Sequence, residues 1–402
     1  MSGFGSEYTG AEMMASKTEQ AKISRWWGIV VGIGVALSPI HNMTLTRWAT
    51  NDAGETLFFL PAFGYLIWIM GTGLFLLHYW DKVKESGWGD RKIVVPLLFI
   101  VGAIALSGAT ATGWEARFAP LCAGIALFGL YLMARIVGKD LFLPLAVGAV
   151  IGSLGIVAHQ LVFSVRVTGG FIFEQNYDIA TGYILLGAAL FVHRWQWLLA
   201  GLAIVALLLS GSPEAIFVIG ILGLVVLIRH DWCKKLAVTG ITIALLVIAI
   251  FAVGWGQSLY SYVIGTIQQD PTAVYVTPDG GRCDVSPLAI RWLVIRDALV
   301  DIKPLGDGYN LTGFTGQFVH NVPLIIVQQL GWPGILAGLA WLWVSIWCLI
   351  KTKWKYAWIL ILSLSVFDHF VWTQLAPLWW VLIGVSTTST LNSDLIFRGH
   401  TE

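Results

Sequence analysis

The chain has 402 residues, of which 57% are hydrophobic and only 12% are charged. A soluble domain carries roughly 25% charged residues, so a water-soluble globule of this composition would lack the polar surface to cover itself. A collagen, a coiled coil, a disordered chain and a disulfide scaffold are excluded by the apolar content and the lack of repeats, and a net charge of +1 gives no reason to expect a nucleic-acid partner.

The bilayer is the solvent that fits. Twelve spans of about 20 residues would use roughly 240 residues, which leaves too little for a large soluble domain. The expected fold is therefore an all-α polytopic membrane protein of about 12 transmembrane helices, one integral membrane domain over 1–402.

In chain order, the first 22 residues are polar and carry no apolar core of a signal peptide. A polar cytoplasmic tail over 1–26 is expected, with the first span acting as the export signal. Apolar stretches predict spans at 27–45, 57–78, 93–110, 118–137, 141–163, 178–193, 195–211, 214–228, 236–256, 332–350, 356–374 and 376–388. The last two could also be one long element broken at Pro377.

Alternating these spans from a cytoplasmic N-terminus leaves Arg47, Arg117, Arg166, Arg282, Arg291, Arg296 and Lys303 outside. The other 17 of the 24 Lys and Arg residues fall inside, as the positive-inside rule requires. Both termini are then cytoplasmic. Four of the outside cations lie in the longest loop, 257–331, between spans nine and ten. That loop contains the turn Thr277-Pro278-Asp279-Gly280-Gly281 and a helical-looking run from Leu288 to Ile302, so a small helical cap over the outer face is expected.

Trp is abundant, at 21 residues. Trp26, Trp27, Trp80, Trp195, Trp197, Trp354 and Trp358 sit at predicted span ends and fit an interfacial aromatic belt. The four cysteines, Cys122, Cys233, Cys283 and Cys348, show no CxxC spacing, so neither a zinc site nor a disulfide framework is expected.

Three groups of residues could carry chemistry. Arg166 follows span five on the outer side, close to Gly169, Gly170 and Asn176. It is either a cation snorkelling to headgroups or a ligand-binding arginine. Arg291 and Arg296 lie five apart, about 140° around a helix, and precede Lys303-Pro304-Leu305-Gly306-Asp307-Gly308. An arginine fork suits phosphate because it donates two parallel charge-assisted hydrogen bonds. A solvated amphipathic helix is the plainer alternative. His320-Asn321 is followed, nine residues on, by Gly331-Trp332-Pro333-Gly334. A neutral histidine at a membrane boundary can accept a proton, although a lone histidine is more often a satisfied polar residue. His41-Asn42, His159-Gln160 and Asp368-His369 are weaker candidates by the same intramembrane logic.

The pattern His320-Asn321, nine residues, then Gly331-x-x-Gly334 resembles the H-[NSQ]-x9-G-x-x-G signature of the O-antigen ligase family. The preceding Arg291, Ala298-Leu299, Pro304 and Gly306-x-Gly308 resemble the same family. So does Arg166-x-x-Gly169 followed by Asn176 and Ala180. Ser210-Gly211-Ser212-Pro213-Glu214 departs from the family by lacking an arginine.

The resemblance implies a GT-C-like inner-membrane glycosyltransferase with its active site on the periplasmic face. The donor would be a glycan on an undecaprenyl-diphosphate-type lipid. The acceptor would be a hydroxyl of lipid A core, of another lipid-linked glycan or of a pilin, with membrane lipids around the protein and no metal or other cofactor. His320, Arg291 and Arg166 would be catalytic. Arg296, Asn321, Asn176, Gly306 and Gly308 would bind substrate, and Asn321 could orient His320. Direct attack would invert the anomeric centre. An O-antigen or exopolysaccharide polymerase and a protein O-oligosaccharyltransferase share these motifs. Outside that class, a transporter of lipid-linked substrates would also need many spans and buried cations.

Overall fold

The computed structural model describes residues 47–50, 56–59, 62–110, 114–142, 196–210, 218–223, 274–276, 282–284, 302–309, 319, 321–367, 371–373 and 375–398. Trp26, Ile29, Leu145, Val147, Val150, Ile295, Arg296, Leu299 and Val300 are described as single positions.

The described chain is predominantly helical. Its helices are α1 (Ala62–Ser86), α2 (Arg91–Ser107), α3 (Trp114–Val137), α4 (Gln196–Ser210), α5 (Val322–Leu330), α6 (Trp332–Lys351), α7 (Lys355–Phe367) and α8 (Ala376–Arg398). Two short antiparallel hairpins accompany the helices. Strand β1 (Arg47–Thr50) pairs with β2 (Thr56–Phe59), and β3 (Val274–Val276) pairs with β4 (Arg282–Asp284). The strands of the second hairpin lie on either side of the sequence Thr277–Gly281, in which Pro, Asp and Gly favour chain reversal, and its Val-Tyr-Val strand is rich in β-formers.

Helices α2, α3, α4 and α6 fall where the apolar stretches predict spans. Three predictions need correction. The stretch 57–78 opens as strand β2 and becomes helical only from Ala62, after Pro61. The stretch 356–374 ends as a helix at Phe367, and residues 371–373 form a turn before α8. The outer loop 257–331 includes α5, whose Val322, Ile325, Ile326, Gln329 and Leu330 are buried. This last part of the loop belongs to the core rather than to a cap.

Two helices among the described residues, Pro120–Val137 and Trp332–Lys351, are long and apolar enough to cross a membrane. The faces of α6 are informative. Its buried side carries Gly334, Ala337, Gly338, Trp341, Val344, Ser345 and Cys348. Its exposed side carries Trp332, Leu336, Leu339, Trp343, Ile346 and Ile350. Most of the large apolar residues face outward, and the small or weakly polar residues lie inward beside Trp341 and Val344. A helix in water has the reverse pattern, and helices packed in lipid have this one. The arrangement fits membrane association.

Proline inside α2 is tolerated through a contact with α6. An N–H at position 96 would bond the carbonyl of Lys92, and Pro96 has none. The indole Nε1 of Trp343 donates to that carbonyl at 3.1 Å. Helix α2 is started by Asp90, whose side chain accepts the Lys92 N–H at 2.9 Å, so the Asp90 cap and the Trp343 indole serve one turn of helix.

Helices α3 and α8 pack closely along their length because Gly384 has no side chain. A Cβ there would lie 2.6 Å from Ala134 Cβ and 2.6 Å from the Tyr131 carbonyl oxygen. Around this seam lies a tryptophan core. Trp341 and Trp379 stack at 5.8 Å, and Trp379 meets Trp380 edge-on at 5.3 Å. Buried indole N–H groups need acceptors. Trp379 donates to Ser345 Oγ at 3.0 Å and Trp358 to Ser386 Oγ at 3.1 Å. The aromatic-belt expectation is thereby corrected for two residues: Trp358 is fully buried and Trp354 nearly so, whereas Trp26 and Trp80 are exposed.

The antiparallel run of the helices gathers many of the described lysines and arginines at one end. The Gly87–Asp90 loop, the C-terminal end of α3 and the start of α7 meet there. Arg135 Nη1 donates to the Gly87 carbonyl at 2.8 Å, Tyr131 Oη to the Trp88 carbonyl at 3.1 Å, and Phe142 packs on Trp354 at 5.8 Å. Lys84, Arg91, Lys92, Arg135, Lys351, Lys353 and Lys355 all belong to the element ends or turns on this side. The opposite end carries the loop 302–309 and the start of α6.

Candidate functional site

At that opposite end, glycine creates the local architecture. Asn321 is the N-cap of α5 and accepts the Leu324 N–H at 3.2 Å, with Pro323 in the first turn, where a missing N–H costs nothing. The helix ends after nine residues at Gly331, whose φ of +66° turns the chain directly into α6. A Cβ on Gly334 would lie 2.5 Å from the Ile326 carbonyl oxygen, so only glycine lets the two helices lie this close. Gly338 faces the Pro323 carbonyl at ordinary contact distance, 3.5 Å. Helix α5 therefore folds back along α6. Its start lies about 10 Å along the α6 axis from Gly331, seven residues at about 1.5 Å each.

The loop 302–309 locks onto this hairpin. The Asp307 N–H donates to the Gln328 carbonyl at 3.0 Å and the Gly308 N–H to the Gln329 carbonyl at 2.9 Å. These carbonyls end α5 and have no partner within it. The Trp332 N–H donates in turn to the Pro304 carbonyl at 3.1 Å. Gly306 and Gly331 meet back to back, with φ of +72° and +66°. A Cβ on either would lie 2.3 Å from a backbone oxygen of the other's segment. Lys303 pairs with Asp307 across the same turn.

A buried polar network closes this end. The backbone N–H of Tyr309 donates to Ser107 Oγ at 3.0 Å, which joins the loop to the end of α2. Tyr309 packs edge-on against Trp372 at 5.5 Å. Trp372 Nε1 donates to Gln329 Oε1 at 2.8 Å, and both residues are buried. Gln329 Nε2 has no hydrogen-bond partner among the described residues.

Deeper in the hairpin, the chain on either side of position 320 is held. The Val319 N–H donates to Gln328 Oε1 at 3.3 Å, and the Asn321 N–H donates to the Val319 carbonyl at 2.8 Å. Asn321 Nδ2 donates to the Val366 carbonyl at 3.2 Å, one residue before α7 ends.

The residues singled out from sequence fare differently. Gly306, Gly308 and Asn321 are brought to one hairpin. The two glycines serve backbone docking there, and Asn321 caps α5 and ties it to α7, so both ends of its amide are engaged within the fold. Arg296 is helical and exposed. His320, Arg291, Arg166 and Asn176 lie outside the described residues. Among the described residues no three His, Cys, Asp or Glu side chains gather as metal ligands. Sequence reasoning missed Gln328, Gln329, Ser107 and Trp372. The signal for the first two was present: adjacent glutamines close an otherwise apolar run, Val322-Pro323-Leu324-Ile325-Ile326-Val327.

Compared with models of known protein families and with curated proteins, the chain matches none.

Proposed function

We propose that the chain is a multi-pass inner-membrane glycosyltransferase of the O-antigen ligase kind, with both termini cytoplasmic and its site on the periplasmic face. The observation that carries the reading is the unit from Asn321 to Gly334. The glycines of the ligase-like pattern make a tight helical hairpin, and Asn321, Gln328 and Gln329 bring polar, hydrogen-bonded groups into an otherwise apolar body. Irregular backbone at membrane depth is tolerated only where protein or a water-filled cavity satisfies it. Such places in membrane proteins are functional by default.

The reaction follows from the residue chemistry. An acceptor hydroxyl oxygen attacks the anomeric carbon of the donor glycan, and the bond from that carbon to the lipid diphosphate breaks. His320, as neutral imidazole, takes the hydroxyl proton. Arg166 and Arg291 hold the negative charge that grows on the departing diphosphate, with Arg296 as a further phosphate contact. Attack from the face opposite the leaving group inverts the centre.

A second reading has one observation in its favour. The short α5 and the break between α7 and α8 are the interrupted helices that a transporter uses around its substrate. One assay separates the two. The full chain in nanodiscs is given undecaprenyl-diphosphate-linked oligosaccharide, and product masses are read for wild type and His320→Ala. A ladder in steps of one repeat, lost in the variant, marks a polymerase. Transfer only when lipid A core or pilin is supplied marks a ligase or a protein glycosyltransferase. No transfer to any of these acceptors, with movement of the lipid across a liposome bilayer, overturns the enzyme reading in favour of transport.

A further inference from the structure

We infer that Arg135, together with the exposed Arg91 and Lys92, forms a binding site for the phosphate of an anionic phospholipid at the basic end of the helices. This goes beyond glycan transfer and does not depend on it. Arginine is almost never fully buried without a partner of opposite charge, because a desolvated charge needs compensation. Arg135 is 6% exposed. Among the described residues no Asp or Glu forms an ion pair with it. Its compensation is a carbonyl and a ring: Nη1 donates to the Gly87 carbonyl at 2.8 Å, and Cζ lies 6.0 Å from the centre of the Tyr131 ring. A guanidinium carries five N–H donors, and Nε of Arg135 has no acceptor. The fold has withdrawn a whole positive charge from solvent and left part of its donor fork uncommitted.

The loop over Arg135 is thin and cationic. Gly87 and Gly89 both have positive φ, +62° and +111°. A Cβ on Gly89 would lie 3.0 Å from Arg135 Nη1 and 2.6 Å from Tyr131 Oη, so glycine backbone, and no side chain of its own, covers the guanidinium on that side. Lys84 precedes this loop and Arg91 and Lys92 follow it, and all three are exposed. Lys92 is three residues from Gly89, at most about 11 Å of chain. Of the described carboxylates at this end, Asp81 pairs with Lys84 and Asp90 accepts the Lys92 N–H. Trp80 and Trp88 are exposed, as indoles are at the headgroup level of a bilayer. Beyond the two cations the outer side of α2 is apolar. Val95, Leu98 and Phe99 are exposed, at the three-, four- and seven-residue spacings that share a helix face with Arg91 and Lys92. A cationic rim above an apolar stripe matches the anionic head and acyl chain of one lipid. A free phosphate would use the rim alone, and the choline of a zwitterionic lipid would meet like charge.

The test titrates phosphatidylglycerol into the full chain in a neutral detergent and reads bound lipid by native mass spectrometry. Arg135→Gln removes the charge and keeps an N–H for the Gly87 carbonyl. It should raise the phosphatidylglycerol concentration for half occupancy of the tightest site about 10- to 150-fold, the worth of charged hydrogen bonds. Arg135→Lys should fall between it and wild type. Arg91→Gln/Lys92→Gln changes only exposed side chains and should weaken binding about 5-fold per residue. Phosphatidylglycerol should raise the melting temperature of wild type, because a ligand of the folded chain stabilises it, and should leave that of Arg135→Gln unmoved. Equal half occupancy in wild type and Arg135→Gln overturns the inference, as does phosphatidylcholine binding as tightly as phosphatidylglycerol. Displacement of the lipid by millimolar inorganic phosphate also overturns it, in favour of a soluble anion. Should Arg135→Gln fail to fold, unchanged phosphatidylglycerol binding in Arg91→Gln/Lys92→Gln overturns it equally.

Discussion

Replacing Gly331 with alanine should dismantle the junction between α5, α6 and the loop 302–309. Two costs add. The φ of +66° with ψ of −141° is a conformation open essentially to glycine alone, which costs a residue with a Cβ about 1–3 kcal/mol. The added Cβ would lie 2.3 Å from the Lys303 carbonyl oxygen, 2.4 Å from Gly306 N and 2.6 Å from the Pro304 carbonyl oxygen. All three are backbone atoms and cannot rotate away, and such overpacking costs about 1–3 kcal/mol. Moving the loop aside also loses the Trp332 to Pro304 hydrogen bond, about 1 kcal/mol. The total is roughly 3–7 kcal/mol, against a typical stability of about 5–15 kcal/mol. The assay is thermal unfolding in nanodiscs by intrinsic tryptophan fluorescence. Gly102→Ala is the control, since Gly102 sits in α2 with no atom within 4 Å of its would-be Cβ. It should be neutral or gain up to about 1 kcal/mol. The double variant Gly306→Ala/Gly331→Ala should be little worse than either single one, because both break the same contact. A Gly331→Ala protein that melts with wild type would refute the reasoning.

Three other outcomes are expected. Trp343→Phe should lower the melting temperature by leaving the Lys92 carbonyl unpaired, and Pro96→Ala in the same chain should restore it, because an alanine N–H supplies the missing donor; a second change without rescue would disprove this account. Asn321→Ala should cost about 0.5–2 kcal/mol as a lost cap, whereas Asn321→Asp should keep the cap and lose only the tie to Val366, so the ordering Asn, Asp, Ala in unfolding scans is the check. Gly384→Val should separate α3 from α8 and reduce the yield of folded protein in size-exclusion profiles, and a monodisperse, fully stable variant would show the seam to be looser than described.

Much of the helical layout was legible in sequence because long apolar runs leave few choices. Asp90 before α2 and the lysines around Thr352 stand at helix ends, a signal that the hydropathy reading did not use. Helix α5 escaped for a physical reason: nine residues are too few to span a bilayer, so its apolar run was assigned to a loop. Its own punctuation, Asn321 and Pro323 at the start and Gly331 at the end, was the better guide. The break after Phe367 was missed because hydropathy continues through Val371 and Trp372, while the partner that holds Trp372 is Gln329, 43 residues away. Trp358 was assigned to the membrane boundary by its position in a span, yet its place is fixed by Ser386. Residue type and spacing located the glycine pattern, but not its use, because a positive φ and a close backbone approach depend on chain segments that only the fold brings together.

The bond between Trp343 and Lys92 links residues 251 positions apart. A ribosome adding about 5–20 residues per second needs roughly 10–50 s to cover that distance. For that interval the nascent chain holds an α2 whose first turn is incomplete, with a polar carbonyl exposed and no donor yet made. Biogenesis therefore requires a substitute during the wait, such as water, a headgroup or an insertion chaperone, and the late arrival of α6 becomes the event that releases it.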